Sequence, residues 1–230
     1  MLIKQILQGS QQKSKGQSLV ELTLVLVILL SLLTGMVEFG NLLNQYITVT
    51  DAAREGARFA SNDDPFIREN DPANCPSAPT TFCIRQQFFT NVDQIVEGNF
   101  LSDGVTRDPK AKGALSPIIL RPEEGDDVVV SFFSIHDGSP LRFPSSENGW
   151  SYYKSKGFSG QPSYFSTSDL ESRIVDPTAP DTGMVVVEIY YHYDQILKFW
   201  GIFGIPDPIS VHAYSIMPLS AAEPTPIINN

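Results

Sequence analysis

Few residues in this sequence have both the type and the surroundings to do chemistry. Its three histidines, His136, His192 and His212, fall on three separate strand-like runs or their ends. There is no His-x-x-x-His pair, no Gly-x-Ser-x-Gly turn and no glycine loop to cradle a phosphate. A histidine on a strand is more often a hydrogen-bonded wall residue than a base. His136-Asp137 beside Ser134 or Ser139 does not make a hydrolase triad, because adjacent positions rarely converge on one site. Asp103, Asp108, Asp126 and Asp127 lie in turn-like stretches without EF-hand spacing and read as solvated turn acids. No catalytic residue, metal site or cofactor is expected. Two features remain that carry physical consequences, a lone carboxylate at Glu21 and a cysteine pair, Cys75 and Cys83.

Glu21 stands at the head of an uncharged apolar run, Leu22–Val37. At ~1.5 Å per residue a helix over this run covers roughly 24 Å, and about 28 Å counted from Leu19, close to a ~30 Å hydrocarbon core. A carboxylate in the middle of such a span costs roughly 2.5–3.5 kcal/mol, less near an interface, unless it finds a cation or a proton. Two readings of Glu21 stand side by side. It is either a charge held ready for a partner, or a side chain one turn from the membrane edge that reaches into the headgroups. A cleaved secretory signal is the third reading of the whole stretch, but the run is longer than the usual 7–15 residue core and no Ala-x-Ala site follows.

The elements that position these residues follow from composition. The leader Met1–Gly16 carries Lys4, Lys13 and Lys15 and no acid, so the formal charge of −10 becomes −13 once it is removed. Such acidity excludes nucleic acid as a partner. Basic charge before the run, with Glu38 and Asp51 after it, predicts a single pass through the cytoplasmic membrane, amino terminus inside and the bulk of the chain outside. In that oxidising compartment the even pair Cys75 and Cys83, flanking a loop-like Pro-Ser-Ala-Pro-Thr-Thr-Phe stretch, favours a disulfide. It is worth perhaps ~2–3 kcal/mol in the chain-entropy model. Two ligands of a metal site would need a second Cys or His pair at suitable spacing, which the sequence lacks.

No proline interrupts Glu38–Ser61, and Phe39, Leu42, Leu43, Tyr46, Ile47, Val49 and Ala53 recur at three- and four-residue steps. One helix over 17–61, membrane-spanning over about 19–39, is therefore expected. Ala53, Gly56, Ala57 and Ala60 make a face of small residues on which another backbone can approach closely. Three blocks, Gly16-Gln17-Ser18-Leu19-Val20-Glu21, Glu38-Phe39-Gly40 and Asp51-Ala-Ala-Arg-Glu-Gly-Ala-Arg-Phe-Ala60, together resemble the TadE-like pseudopilins of Flp (tight adherence) pilus systems. The first block, behind a basic leader, also looks like the class III signal of type IV prepilins. The resemblance covers about residues 14–61. It implies cleavage by a prepilin peptidase between Gly16 and Gln17. Glu21, then the fifth residue, would pair with the new amino terminus of a neighbouring pilin-like subunit.

Beyond Asn62-Asp63-Asp64-Pro65, which ends the helix, Ile84–Val96 predicts a second helix with Phe88, Phe89, Val92, Ile95 and Val96 on one stripe and Gly98 as its stop. Strand-like runs follow at 117–120, 128–135, 184–193 and 209–217. Residues 137–168 read as irregular but hold Phe143, Trp150, Tyr152, Tyr153, Phe158, Tyr164 and Phe165, either a loop packed over the sheet or a recognition surface. The apolar connection Ile196–Ile205 is too short to span a membrane and fits the membrane face, a neighbouring subunit or a buried hairpin tip. The tail 221–230, with Pro224 and Pro226, reads as disordered. The sum is an α+β protein: leader 1–16, a long helix continuing into a small antiparallel sheet domain over 62–220 with a second packed helix, and the tail. Its expected role is structural rather than enzymatic. The rival is an anchored binding module that uses the aromatic segment for recognition.

Overall fold

The computed structural model describes residues 14–67, 83–97, 118–144, 148–173, 181–198, 200–201 and 204–220. The leader up to residue 13, Cys75, Gly98, Asp103, Asp108 and the tail 221–230 lie outside them, and with Cys75 the expected disulfide. The chain divides into two compact units, one of residues 1–44 and 194–209, the other of residues 45–193 and 210–230. Helix α1, Ser14–Ser61, is the first element. It is followed by β1 (Phe66–Ile67), β2 (Cys83–Ile84), α2 (Gln86–Glu97), β3 (Asp127–His136), β4 (Ser139–Phe143), β5 (Trp150–Ser151), the short helices α3 (Tyr152–Ser155) and α4 (Thr167–Arg173), β6 (Thr182–Tyr193) and β7 (Ile209–Pro218). This is an α+β arrangement around an antiparallel sheet.

The sheet runs in the order β4-β3-β6-β7, with β5 also pairing β3. β3 and β6 are the β-branched runs of the sequence, and they pair antiparallel with Val128 opposite Ile189, Val130 opposite Val187 and Phe132 opposite Val185. Because strand side chains alternate, these six share one face. They meet Val49, Ala53, Ala57 and Ala60 of α1 and Phe88, Phe89, Val92 and Val96 of α2 in the main core. On the opposite face Phe133 and Val186 pack with Phe165 and Leu170 in a smaller cluster. Burial on both faces explains why β3 reads as an almost continuous apolar run rather than an alternating one.

Aromatic rings fill the space between α2 and the sheet. Phe89 stacks on Trp150 at 4.9 Å, Phe132 on Phe143 at 5.1 Å, and Phe66 meets Phe132 edge-on at 5.4 Å. Phe88, Phe89 and Phe132 are fully buried, each worth about 1.5–3 kcal/mol of burial.

Three sequence expectations change. Residues 137–168 are not irregular: Asp137 and Gly138, both at positive φ, turn β3 into β4, and β5, α3 and the start of α4 follow. Residues 118–120 form no strand, although Ile118 and Leu120 are buried in the core. Asp126 and Asp127 are not solvated turn acids but almost wholly inaccessible.

A Cβ on Gly56 would stand 2.8 Å from Val96 Cγ2 and 3.4 Å from Val187 Cγ1, whereas one on Gly40 meets nothing within 4 Å. Gly56→Val is therefore expected to destabilise the detergent-solubilised protein by about 1–3 kcal/mol, the usual cost of overpacking. Gly40→Ala is expected to be neutral or to stabilise by up to ~1 kcal/mol through helix propensity. Denaturant unfolding followed by circular dichroism measures both.

Candidate functional site

The amino-terminal unit is dominated by the apolar half of α1. This is the one helix among the described residues long and apolar enough to cross a membrane, and no part of its most apolar window is buried. Leu19–Leu30, Leu32, Leu33, Met36 and Val37 carry its exposed hydrophobic surface. Its hydroxyls are satisfied within the helix. Thr23 donates to the Leu19 carbonyl, Ser31 to Ile28 and Thr34 to Leu30, each at 2.8 Å, as a lipid-facing helix requires.

Gly16, Gln17 and Glu21 fall together in the first turns of this helix. Glu21 is exposed, and Gln17 Nε2 donates to its Oε1 at 3.2 Å across one turn. A neutral amide places a partial positive charge by the carboxylate but does not neutralise it. Gly16 is helical here with open space about its Cα. Extending the backbone at Gly16 would need local unwinding, which is cheap where the first amide groups of a helix lack intrahelical acceptors.

At the other end of the apolar run stands Glu38, read from the sequence as a charge beyond the membrane and as part of the Glu38-Phe39-Gly40 block. It is completely buried. Its Oε1 accepts the Ile196 N–H at 2.9 Å and its Oε2 the Leu197 N–H at 2.8 Å. Its bidentate grip holds the connection between β6 and β7 against α1 within the same unit. Gly35, one turn earlier, leaves room for the Trp200 ring, whose nearest carbon lies 3.7 Å from where a Cβ would be. The Gln195 N–H donates to Asp207 Oδ1 at 2.9 Å, and Lys198 pairs with Asp207 at 3.1 Å. That contact raises the Lys198 ammonium above its ordinary value, and Asp207 is lowered, first by the Gln195 N–H and then by Lys198.

Ala53, Gly56, Ala57 and Ala60 belong to the other unit, where all four are buried. What approaches Gly56 is this chain's own Val92, Val96 and Val187.

The histidines do not converge. His192 pairs with Asp126 at 2.8 Å, and His212 contacts Glu188 at 3.2 Å and stacks on Tyr190. His136 Nδ1 lies 2.5 Å from Asp181, which raises the imidazole and lowers the carboxylate. With Asp137, these two bring possible ligand atoms within 4.8 Å of one another on an exposed surface. The hydrogen bonds among them account for the cluster without an ion. In the β3–β4 ladder Ser139 lies opposite His136 and Ser134 opposite Leu141.

Buried acids form a separate group beneath the aromatic segment. Asp127 accepts from Ser151 Oγ at 2.5 Å, the Gln161 N–H at 2.7 Å and the Tyr153 N–H at 3.2 Å. Tyr153 Oη donates to Glu97 at 2.5 Å. Burial, and then the neighbouring Glu97 and Asp127, push Asp93 well above the usual carboxylate range. Burial likewise raises Asp127 and, reinforced by Asp93 and Glu97, the Tyr152 and Tyr153 phenols. In this way Tyr152 and Tyr153 are tied to the core, while Phe158 and Tyr164 remain exposed.

With the geometry in view, the family model described as TadE-like protein matches residues 16–58. Comparison of the chain with curated proteins and with solved structures gives no match. The matched segment holds Gly16, Gln17, Glu21, Glu38 and, of the small-residue face, Ala53, Gly56 and Ala57. It bears out the TadE-like resemblance and suggests a pseudopilin associated with a tight adherence pilus.

Two outcomes are expected. Glu38→Ala removes the acceptor of two amides, each bond to a charged group being worth about 1.5–3 kcal/mol, and should free the connection. Limited trypsin digestion, with mass spectrometry of the fragments, should show faster cleavage after the exposed Lys198. For Asp93 the folded state holds its proton to higher pH than the unfolded chain does, so stability falls as pH rises from the ordinary carboxylate range towards the raised value. Asp93→Asn, which imitates the protonated acid, should melt higher than the parent at pH 8, with the difference vanishing near pH 4.

Proposed function

We propose that this chain is a membrane-anchored pseudopilin, a minor structural or assembly subunit of a Flp-type pilus. Prepilin peptidase cuts after Gly16, and the freed Gln17 amine of one subunit meets Glu21 of a neighbouring pilin-like subunit. The amino terminus lies in the cytoplasm and the sheet domain outside. The observation that carries this reading is Glu21 itself, an exposed carboxylate at the head of an uncharged, lipid-length run, answered within its own chain by a neutral amide. In lipid that arrangement is unfavourable by roughly 2.5–3.5 kcal/mol at mid-membrane depth. An ammonium from an adjoining subunit removes the penalty for both groups, and so couples entry into the filament to completed processing.

The role is mechanical. α1 holds the subunit in the bilayer until it is drawn into a helical bundle. The three histidines each pair with a different acid, Asp181, Asp126 and Glu188, and this scatter supports a structural part over a catalytic one. The rival reading, an anchored binding module, draws on the exposed rings Phe158 and Tyr164. It is weakened by Trp150, Tyr152, Tyr153 and Phe143 packing against the core, as a covering layer does.

Mass spectrometry of the protein from a peptidase-competent host is expected to find Gln17 as the first residue. An intact leader on functional protein sinks the proposal. Glu21→Ala is expected to leave the sheet domain folded while abolishing co-purification with other pilin-like subunits; a mutant that assembles like the parent removes the pairing. A soluble ligand retained through the sheet domain would favour the rival.

A further inference from the structure

The connection between β6 and β7 meets α1 at a single level. Glu38 takes the amides of Ile196 and Leu197, and Trp200 covers Gly35. That level is the last turn of the uncharged run and the residue directly after it. Here α1 exposes Met36 (73 %), Val37 and Phe39, and the connection exposes Ile196 (64 %), Leu197 and Ile205. Water would face bulky apolar side chains on both elements at once.

We propose that the connection, through Ile196, Leu197, Trp200 and Ile205, rests in the headgroup layer of the bilayer beside the Glu38 end of the span, as a second contact with lipid. This rests on the reading of α1 as a membrane helix. The continuity of its exposed apolar surface with that of Ile196, Leu197 and Ile205 selects lipid as the occupant. The polar groups fit the same zone. Irregular backbone is excluded from hydrocarbon, but here Glu38 occupies two of the amides and the Gln195 side chain donates to the Pro206 carbonyl at 2.8 Å. The connection's exposed cation, Lys198, is paired with Asp207 and has the length to reach outward past the acyl chains. Trp200, with an apolar body and one N–H, is the side chain enriched at headgroup depth. Glu38 itself reaches the membrane edge already covered, with both oxygens taken by the connection's amides.

The test uses the full-length protein in phosphatidylcholine vesicles, with Trp150→Phe leaving Trp200 as the only tryptophan. Lipids brominated at the top of the acyl chain should quench Trp200 about twofold or more better than lipids brominated near the chain end, as expected for a ring at the headgroup boundary. If Trp150→Phe does not fold, the difference in quenching between the parent and Trp200→Phe isolates the same signal. Protein that resists alkaline carbonate extraction yet shows no quenching by either lipid overturns the inference and leaves the anchor standing. Protein stripped from the vesicles by carbonate overturns the anchor, and this contact with it. Trp200 shielded from both brominated lipid and acrylamide identifies a neighbouring subunit as the cover and also overturns it.

Discussion

Two carboxylates bracket the apolar run of α1, and low-dielectric surroundings tolerate neither as a bare charge. The protein answers them differently. Glu38 is enclosed, with both oxygens hydrogen-bonded to backbone amides of the β6–β7 connection. Glu21 is open, with one oxygen reached by the Gln17 amide. The first solution is complete within one chain and holds a loop in place. The second has room for another group, and the proposed assembly chemistry depends on that room. A helix lacking both acids would be a plain anchor.

Within the sheet-bearing unit the corresponding constraint is the two-sided burial of β3. Its centre is flanked by α1 and α2 on one face and by Phe165 and Leu170 on the other. Three acids enter this interior with donors prepared for them. Asp126 accepts the Arg121 and His192 amides, and Asp127 accepts from Ser151, Tyr153 and Gln161. Glu188 accepts from Ser163 and the Tyr164 amide. The bonds to Asp127 and Glu188 tie the long segment between β4 and β6 to the sheet, and so convert an aromatic-rich stretch into a cover. Asp93 has an oxygen without a hydrogen-bond partner, and it responds by holding its proton.

Much of the architecture was legible in local pattern. The long helix follows from an unbroken apolar and small-residue periodicity without proline, and α2 from its five-residue stripe. β3, β6 and β7 are read from β-branched runs between turn residues. The β3–β4 hairpin was also written locally, in Asp137-Gly138, which supplies two positive φ angles. It was obscured because the returning strand is short and contains Pro140. Other features are not local at all. Glu38 and its acceptor role toward Ile196 are separated by 158 positions, and the donors to Asp126 and Asp127 come from across the fold. No periodicity in the sequence marks a carboxylate whose partners are distant backbone amides. Of the proposed site, Gly16, Gln17 and Glu21 are singled out by spacing along one helix, and their role rests on the proposed function.

The small residues of α1 carry a lesson for genetics. Ala53, Gly56, Ala57 and Ala60 are buried against their own chain, so bulky replacements there lower the amount of protein before any filament is attempted. Under the proposed function, changes around Gly16 and Glu21 leave the sheet untouched and would alter maturation or joining instead. A screen scored only by loss of fibres would merge the two classes, and steady-state protein level separates them.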